Sequence, residues 1–373
     1  MLRASNLKKL SLQFFPSFII SFLISLITTP IVVFIYKKLN ILDDPKKQKH
    51  PKVIHKYPVP RGGGIPVFLS IAAASLIFLP LDKHLTGIFL GAAVILIIGI
   101  LDDKFDLNPY IRLLAGFLAA ACVVGAGIGI PFITNPLNGV IHLNQPQIPI
   151  FLFGKTRTIW VLADLFAFFW ITWCMNFVNW SKGLDGQLPG IVVIAALTIG
   201  ILSLRFSADI TQWPVVILAL SVAGAYLGFL PFNFYPQKIM PGYGGGALAG
   251  YFLAVLSILA SCKVGTLMMV LGLPLADAFL VVARRLYKGK SPVWGDTRHL
   301  HHKLLQIGWG NPKIAFFYWG ITAILGFLAL KLKALGKVYT IIIISFLLGG
   351  FLLWLKLFTT SLSRPGQDSG LKT

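Results

Sequence analysis

The chain contains no glutamate. All 12 acidic residues among its 373 are aspartate, so any carboxylate chemistry must come from a short list of short side chains. Charge of either sign is scarce, at 12% of residues, and there are only 3 cysteines. Cys122, Cys174 and Cys262 fall in or at the ends of apolar runs without metal-ligand spacing. That excludes a thiolate metal centre and leaves them as small packing residues. No long polar stretch is left over to fold as a soluble domain, which argues against a nucleic-acid site despite a formal net charge of +21.

Hydrocarbon fills the chain instead: 56% of residues are hydrophobic and the mean hydropathy is +0.80. Apolar runs long enough to cross a bilayer lie near 14–36, 64–81, 85–101, 109–131, 158–178, 188–204, 211–230, 245–261, 264–286, 314–331 and 337–358, about eleven in all. The reading is an all-α polytopic membrane protein, a single transmembrane domain over 1–373, with a short external β-hairpin or cap in the 132–157 connection. The first run is too long for a signal-peptide core and lacks a small-residue cleavage site, so it reads as part of the mature protein. Two in three of the 33 lysines and arginines fall on the side that holds the C-terminal tail and the loops near 37–63, 102–109, 179–187, 231–246 and 287–313. The positive-inside rule puts that side in the cytoplasm, hence a multi-pass protein of the inner (plasma) membrane. The basic excess suits anionic lipid headgroups or an anionic substrate equally well.

Titratable groups gather on the same side. Asp43, Asp44, Asp102, Asp103, Asp106, Asp185 and Asp296 lie on its loops with His50, His55, His299, His301 and His302, while only His84 and His142 lie opposite. The run from Leu85 to Leu101 ends on Asp102 and Asp103. Two adjacent anions at a membrane edge are tolerated most easily with a cation between them, a metal ion or a basic side chain, although a plain helix stop in solvent is also open. Asn176 and Asn179 share a helix face ahead of a Gly-x-Asp-Gly turn presenting Asp185. These oxygens suit a hard cation or a sugar, or they merely end a helix. Two glycine-rich stretches, Gly62 to Gly64 behind Lys56 and Arg61, and Gly242 to Gly246 at a span start, can aim backbone N–H groups at a phosphate; tight reversals explain them as well. Arg298, His299, His301, His302 and Lys303 concentrate cations and proton-transfer groups within six residues. Their spacing lacks the i, i+4 pairing of helical zinc sites, so neutral imidazole facing a phosphate is the better reading. Asp164, in the outer part of the fifth span, has no assigned role.

In chain order, HKYPVPRGGGIP (55–66), LDDKFDLNP (101–109), NFVNWSKGLDG (176–186), FNFYPQKIM (232–240), RRLYKGKSP (284–292) and DTRHLHHKLL (296–305) resemble the motifs of the polyprenyl-phosphate N-acetylhexosamine-1-phosphate transferases of glycosyltransferase family 4. That family includes enzymes that start enterobacterial common antigen and teichoic-acid linkage units, and the muramoyl-pentapeptide transferase of peptidoglycan. The His-Leu-His-His form is more similar to the N-acetylglucosamine branch than to the muramoyl branch. The resemblance implies an enzyme at the cytoplasmic face that starts a cell-envelope glycan. In it the phosphate of undecaprenyl or another polyprenyl phosphate attacks a UDP-sugar, probed most simply as UDP-N-acetylglucosamine, and UMP leaves. It implies Mg²⁺, with Asn179 and Asp185 around the metal, and Asp102, Asp103 and Asp185 as catalytic carboxylates. It further implies Lys56, Arg61, Asn176, Asn179, Lys182, Arg298, His299, His301 and His302 as substrate contacts. The partners are then polyprenyl phosphate, a UDP-sugar, membrane lipid and a second copy of the chain in a homodimer.

Two positions depart from the family pattern. Lys182 stands where that pattern has Asp, and Met240-Pro-Gly-Tyr-Gly-Gly245 replaces Met-Gly-Asp-x-Gly-Ser, so that Gly242 occupies the position of the expected Mg²⁺ carboxylate. Two negative charges are gone and one positive charge is added, which disfavours a divalent ion at this distance. Two functions follow: an active transferase whose Lys182 takes over part of the metal's charge role, or a catalytically silent relative that binds polyprenyl phosphate or nucleotide-sugar. A transporter is disfavoured, because there is no internal repeat and little intramembrane charge apart from Asp164 and Asp277.

Overall fold

In hydrocarbon every backbone N–H and C=O must be satisfied within its own segment, so apolar runs of this length fold as helices. The computed structural model describes residues 4–46, 57–135, 137, 139–152, 155–205, 210–261, 263–291 and 299–362. Its helices are α1 (Ala4–Lys38), α2 (Gly64–Phe78), α3 (Lys83–Phe105), α4 (Pro109–Gly125), α5 (Val161–Trp180), α6 (Gln187–Leu204), α7 (Trp213–Asn233), α8 (Gly242–Leu259), α9 (Val264–Val270), α10 (Gly272–Tyr287), α11 (Leu300–Gln306), α12 (Asn311–Lys331) and α13 (Ala334–Leu362). Among the described residues 8 helices are long and apolar enough to cross a membrane, and α9 with α10 makes a ninth if that bent pair is one span. The fold is therefore all-α and polytopic. Each of the eleven apolar runs is helical, but α2 and α4, with 15 and 17 residues, reach only about 22 to 26 Å against roughly 30 Å of hydrocarbon.

The run 264–286 reads from sequence as one continuous span. In the structure it bends by 85° between α9 and α10. Pro274 lacks the N–H that would bond the Val270 carbonyl, so the helix restarts in a new direction with proline in its first turn. In the 132–157 connection, two antiparallel hairpins form instead of one: β3 (Phe132–Thr134) with β4 (Val140–His142), and β5 (Gln147–Leu152) with β6 (Lys155–Trp160). They follow a two-residue pair earlier in the chain, β1 (Leu42–Asp43) with β2 (Val59–Pro60), which ties together the two ends of the first loop.

α8 is the axis of the bundle. Every residue from Gly242 to Ile258 is buried, with α5 and α3 packed along it. On the far side α1 lies against α7, where Ser21 Oγ donates to Ser221 O at 2.6 Å. Small side chains permit such close approach where lipid offers no hydrophobic driving force between helices. The ends of α3, α5 and α7, the first half of α10 and the starts of α2, α8 and α11 meet at one end of the bundle, and there the polar loops converge.

Candidate active site

Asp102 and Asp103 sit on the last turn of α3 and point to different neighbours, as adjacent residues of a helix must. Asp102 is buried. Its Oδ1 accepts from Leu107 N at 3.0 Å and from Arg112 Nη1 at 3.1 Å, so the chain folds back from α3 into α4 to supply a cation. Arg112 in turn lies over the Tyr243 ring, 5.8 Å from its centroid, and its carbonyl accepts from Tyr243 Oη at 2.8 Å. Asp103 Oδ2 accepts from Tyr36 Oη at 3.3 Å, while its Oδ1 is buried without a hydrogen-bond partner. Arg61 bonds Asp43 Oδ2 through Nε and Nη2 at 3.1 and 2.8 Å, and its Nη1 lies 3.7 Å from Asp106.

Lys182 follows α5 and reaches back over α8, donating from Nζ to Gly242 O at 2.8 Å. A Cβ added at Gly246 would lie 3.1 Å from Lys182 Cδ and 2.1 Å from Asn179 Oδ1, so the bare backbone of α8 is what lets both side chains settle on it. Burial pushes the Lys182 ammonium down to about 7; Arg112 and Arg61 add to the fall, and Asp102 and Asp103 oppose it. The residue as a whole is half-buried. Gly242 has φ +64°, and a Cβ there would lie 2.2 Å from Arg61 O and 2.6 Å from Asp103 Oδ1. A side chain at this position is both strained and without room.

The next residue of the same loop faces the histidines. A Cβ on Gly183 would lie 2.2 Å from His301 Nε2. His299 Nδ1 lies 2.8 Å from Asp277 Oδ2, and Leu300 N donates to Asp277 Oδ1 at 2.9 Å. A His299 donating Nδ1–H to Asp277 presents Nε2 outward, its orientation held by the carboxylate. Its ring stands 6.0 Å from Trp180 and stacks on His301 at 5.6 Å, with His302 4.4 Å beyond. Burial, then His302 and His299, hold His301 well below the ordinary imidazole range, so it is neutral near pH 7.

The structure thus joins Asp102, Asp103, Arg61, Asn179 and Lys182 around the start of α8, and His299, His301 and His302 on the other flank of one loop. Lys56 and Arg298 lie outside the described residues. Asn176 donates from Nδ2 to Thr172 O at 2.8 Å, within its own helix. Asp185 is buried and its Oδ2 accepts from Gln237 N at 3.2 Å, bracing the loop that enters α8. Gly62, Gly63 and Gly64 are filled by packing on the Tyr36 ring, Met240 O and the Gly244–Gly245 backbone, and Gly63 N donates to Met240 O at 3.0 Å. The two glycine-rich stretches meet each other, so close helix packing, and not an anion cradle, is what they provide. Asp164 accepts from Trp160 N at 3.1 Å and caps the start of α5. Sequence reasoning missed Asp277, Asp43, Arg112 and Tyr36 as site residues; only Asp277, a carboxylate in an apolar run, carried a signal.

The Mg²⁺ that the resemblance implies does not fit these residues. Among the described residues no three His, Cys, Asp or Glu side chains group to hold a metal. Of the expected ligands, Asp185 accepts from Gln237 N in the loop before α8, while Asn179 Oδ1 is buried against Gly246 of α8 without a hydrogen-bond partner. Asp102 is committed to Arg112, and an ammonium already occupies the Gly242 carbonyl.

Residues 85–261 match the family model described as Glycosyl transferase family 4. Over 328 residues the chain is 31% identical to the Bacillus subtilis protein named "Probable undecaprenyl-phosphate N-acetylglucosaminyl 1-phosphate transferase", covering 85% of this chain and 84% of that one. It is 28% identical over 303 residues to "Decaprenyl-phosphate N-acetylglucosaminephosphotransferase" of Mycolicibacterium smegmatis, covering 72% and 71% of the two chains. It is also 28% identical over 281 residues to "Undecaprenyl-phosphate alpha-N-acetylglucosaminyl 1-phosphate transferase" of Thermotoga maritima, covering 75% and 78%.

Proposed function

The chain belongs to glycosyl transferase family 4, and from that premise we propose that it transfers N-acetylglucosamine-1-phosphate from its UDP-sugar to undecaprenyl phosphate at the cytoplasmic face of the plasma membrane, releasing UMP. The observation that carries the reading is the double contact of one short loop. Lys182 bonds the Gly242 carbonyl, at the residue that crowds Asp103, and Gly183 abuts His301, so a phosphate handled on one flank lies beside imidazoles that can hold the sugar-phosphate on the other.

In this reaction an oxygen of the lipid phosphate forms a bond to the β-phosphorus, the anhydride bond to the α-phosphate breaks, and UMP leaves with the electron pair on its α-phosphate oxygen. Two anions must be brought together, so positioning and charge offset are most of what the protein contributes. Arg112 and Lys182 supply the cations. Asp103 Oδ1, buried and without a partner, is the acceptor for the proton of a monoanionic lipid phosphate. Neutral His301 donates or accepts a hydrogen bond without adding charge, beside His299, which Asp277 holds in place.

Purified protein given undecaprenyl phosphate and UDP-N-acetylglucosamine should release UMP, and Asp103→Asn should abolish that release. If no UDP-sugar from a broad panel yields UMP, the protein is a binder of polyprenyl phosphate or nucleotide-sugar, the reading that the Lys182 and Gly242 departures favour.

A further inference from the structure

The position that the family resemblance gives to a divalent cation is built here around an ammonium. Asp102 pairs with Arg112 and Asp43 with Arg61, and Asp103, beside the start of α8, is opposed by Lys182 and Arg61 together. The hydrogen bonding bears on the same point. An ammonium has three protons, and one goes to Gly242 O at 2.8 Å. Asp103 Oδ1 and Asn179 Oδ1, the oxygens that a Cβ at Gly242 and at Gly246 would meet, are buried without hydrogen-bond partners, so the other two ammonium protons are not spent on them. The space is also closed, since Arg61 O and Asp103 Oδ1 occupy the room that a side chain at Gly242 would need.

We propose that Lys182 is the resident cation of this site, bonded to the Gly242 carbonyl and offsetting the charge of the incoming phosphates without a protein-bound divalent ion. Its catalytic half rests on the transferase reading; its binding half does not. A divalent ion at the same carbonyl would sit against the ammonium, and with Asp102 and Asp103 already opposed by cations there is no surplus negative charge to draw it in. Beyond the bond to Gly242 O the ammonium has two further protons, which can turn to a phosphate oxygen when substrate arrives.

The test uses the full chain in nanodiscs, with Mn²⁺ as the metal probe, read by electron paramagnetic resonance, and UMP release as the second readout. The wild type should bind no stoichiometric Mn²⁺. Its UMP release from UDP-N-acetylglucosamine and undecaprenyl phosphate should stay within about twofold in excess EDTA, and Lys182→Ala should lose about 100-fold, as expected for a removed preorganised donor, with no recovery on adding Mg²⁺. A stoichiometric Mn²⁺ site in the wild type, or UMP release that EDTA abolishes and Mg²⁺ restores, overturns the proposal. Absence of UMP under every condition overturns the transferase reading instead, and the wild-type Mn²⁺ titration, which needs no variant to fold, still decides which cation the site holds.

Discussion

With the free-enzyme ammonium of Lys182 pushed down to about 7, the residue is about ten parts ammonium to one of amine a pH unit below that value and the reverse a unit above. If the ammonium is the working form, kcat/KM should be level on the acid side and fall about tenfold per pH unit above about 7. Anionic substrates favour the ammonium, so the falling limb of kcat should lie at higher pH than that of kcat/KM. Stability runs the other way. An unfolded lysine keeps its ordinary value of 10.5 and binds a proton, between about 7 and that value, which the folded chain has released. The unfolded state is therefore favoured by protonation, and folded stability rises with pH across this window. Activity lost above neutrality cannot then be blamed on unfolding at this residue. UMP release at limiting and saturating UDP-sugar, with thermal unfolding on the same samples, measures both trends. Lys182→Arg, charged throughout, should lose the limb near 7 even if its overall rate is lower. A level kcat/KM from about pH 6 to 9, or an identical limb in Lys182→Arg, refutes the assignment.

Three other substitutions probe the frame around that lysine. Asp277→Asn keeps the shape but sets an amide against the His299 and Leu300 N–H groups now held at 2.8 and 2.9 Å; it should cost about 1 to 3 kcal/mol in stability and lower kcat per folded molecule, whereas unchanged kcat with a lowered Tm would make the carboxylate a strut for α11 only. Gly183→Ala drives a methyl to within 2.2 Å of His301 Nε2; the displaced ring should raise KM for the UDP-sugar about tenfold while leaving the pH limb of Lys182 in place, as steady-state kinetics would show. Arg112→Met leaves Asp102 buried without its partner at 3.1 Å and should destabilise by about 3 kcal/mol; adding Asp102→Asn should recover part of that loss, and a double-mutant cycle with no coupling would show that the pair carries no energy.

What could be seen in the chain were features whose chemistry is local. An apolar run is a helix wherever it lies in a bilayer, so the eleven helical positions were legible. The crossing length was not, because α2 stops ahead of Pro80 and α4 at the turn through Gly127, whose φ is positive. Asp102 and Asp103 announced themselves by adjacency, and the histidines by density. Asp277 showed only as a carboxylate in an apolar run, because its meaning depends on His299, 22 residues on. Arg112 counted as one loop cation among many until α4 folded back along α3. The glycines misled for the same reason: a Gly-rich stretch is compatible with an anion or with another backbone, and only the pairing of Gly62–Gly64 with α8 decides between them.

Lys182 and Gly242 show most plainly where linear reading stops. As separate departures from a pattern, each looks like damage, a carboxylate lost and then another. In the fold they are 60 residues apart and 2.8 Å from Nζ to carbonyl oxygen, and each explains the other. The lysine needs a carbonyl that no side chain covers, and the crowding at Gly242 by Arg61 O and Asp103 Oδ1 forbids one. The glycine, without the lysine, would leave Asp103 pressed against a backbone turn with no charge of its own to answer it. Because the bond runs to a backbone carbonyl, Gly242→Ala acts by displacing that carbonyl, and the part of its cost that passes through the ammonium should vanish in a Lys182→Met background while the strain at φ +64° remains.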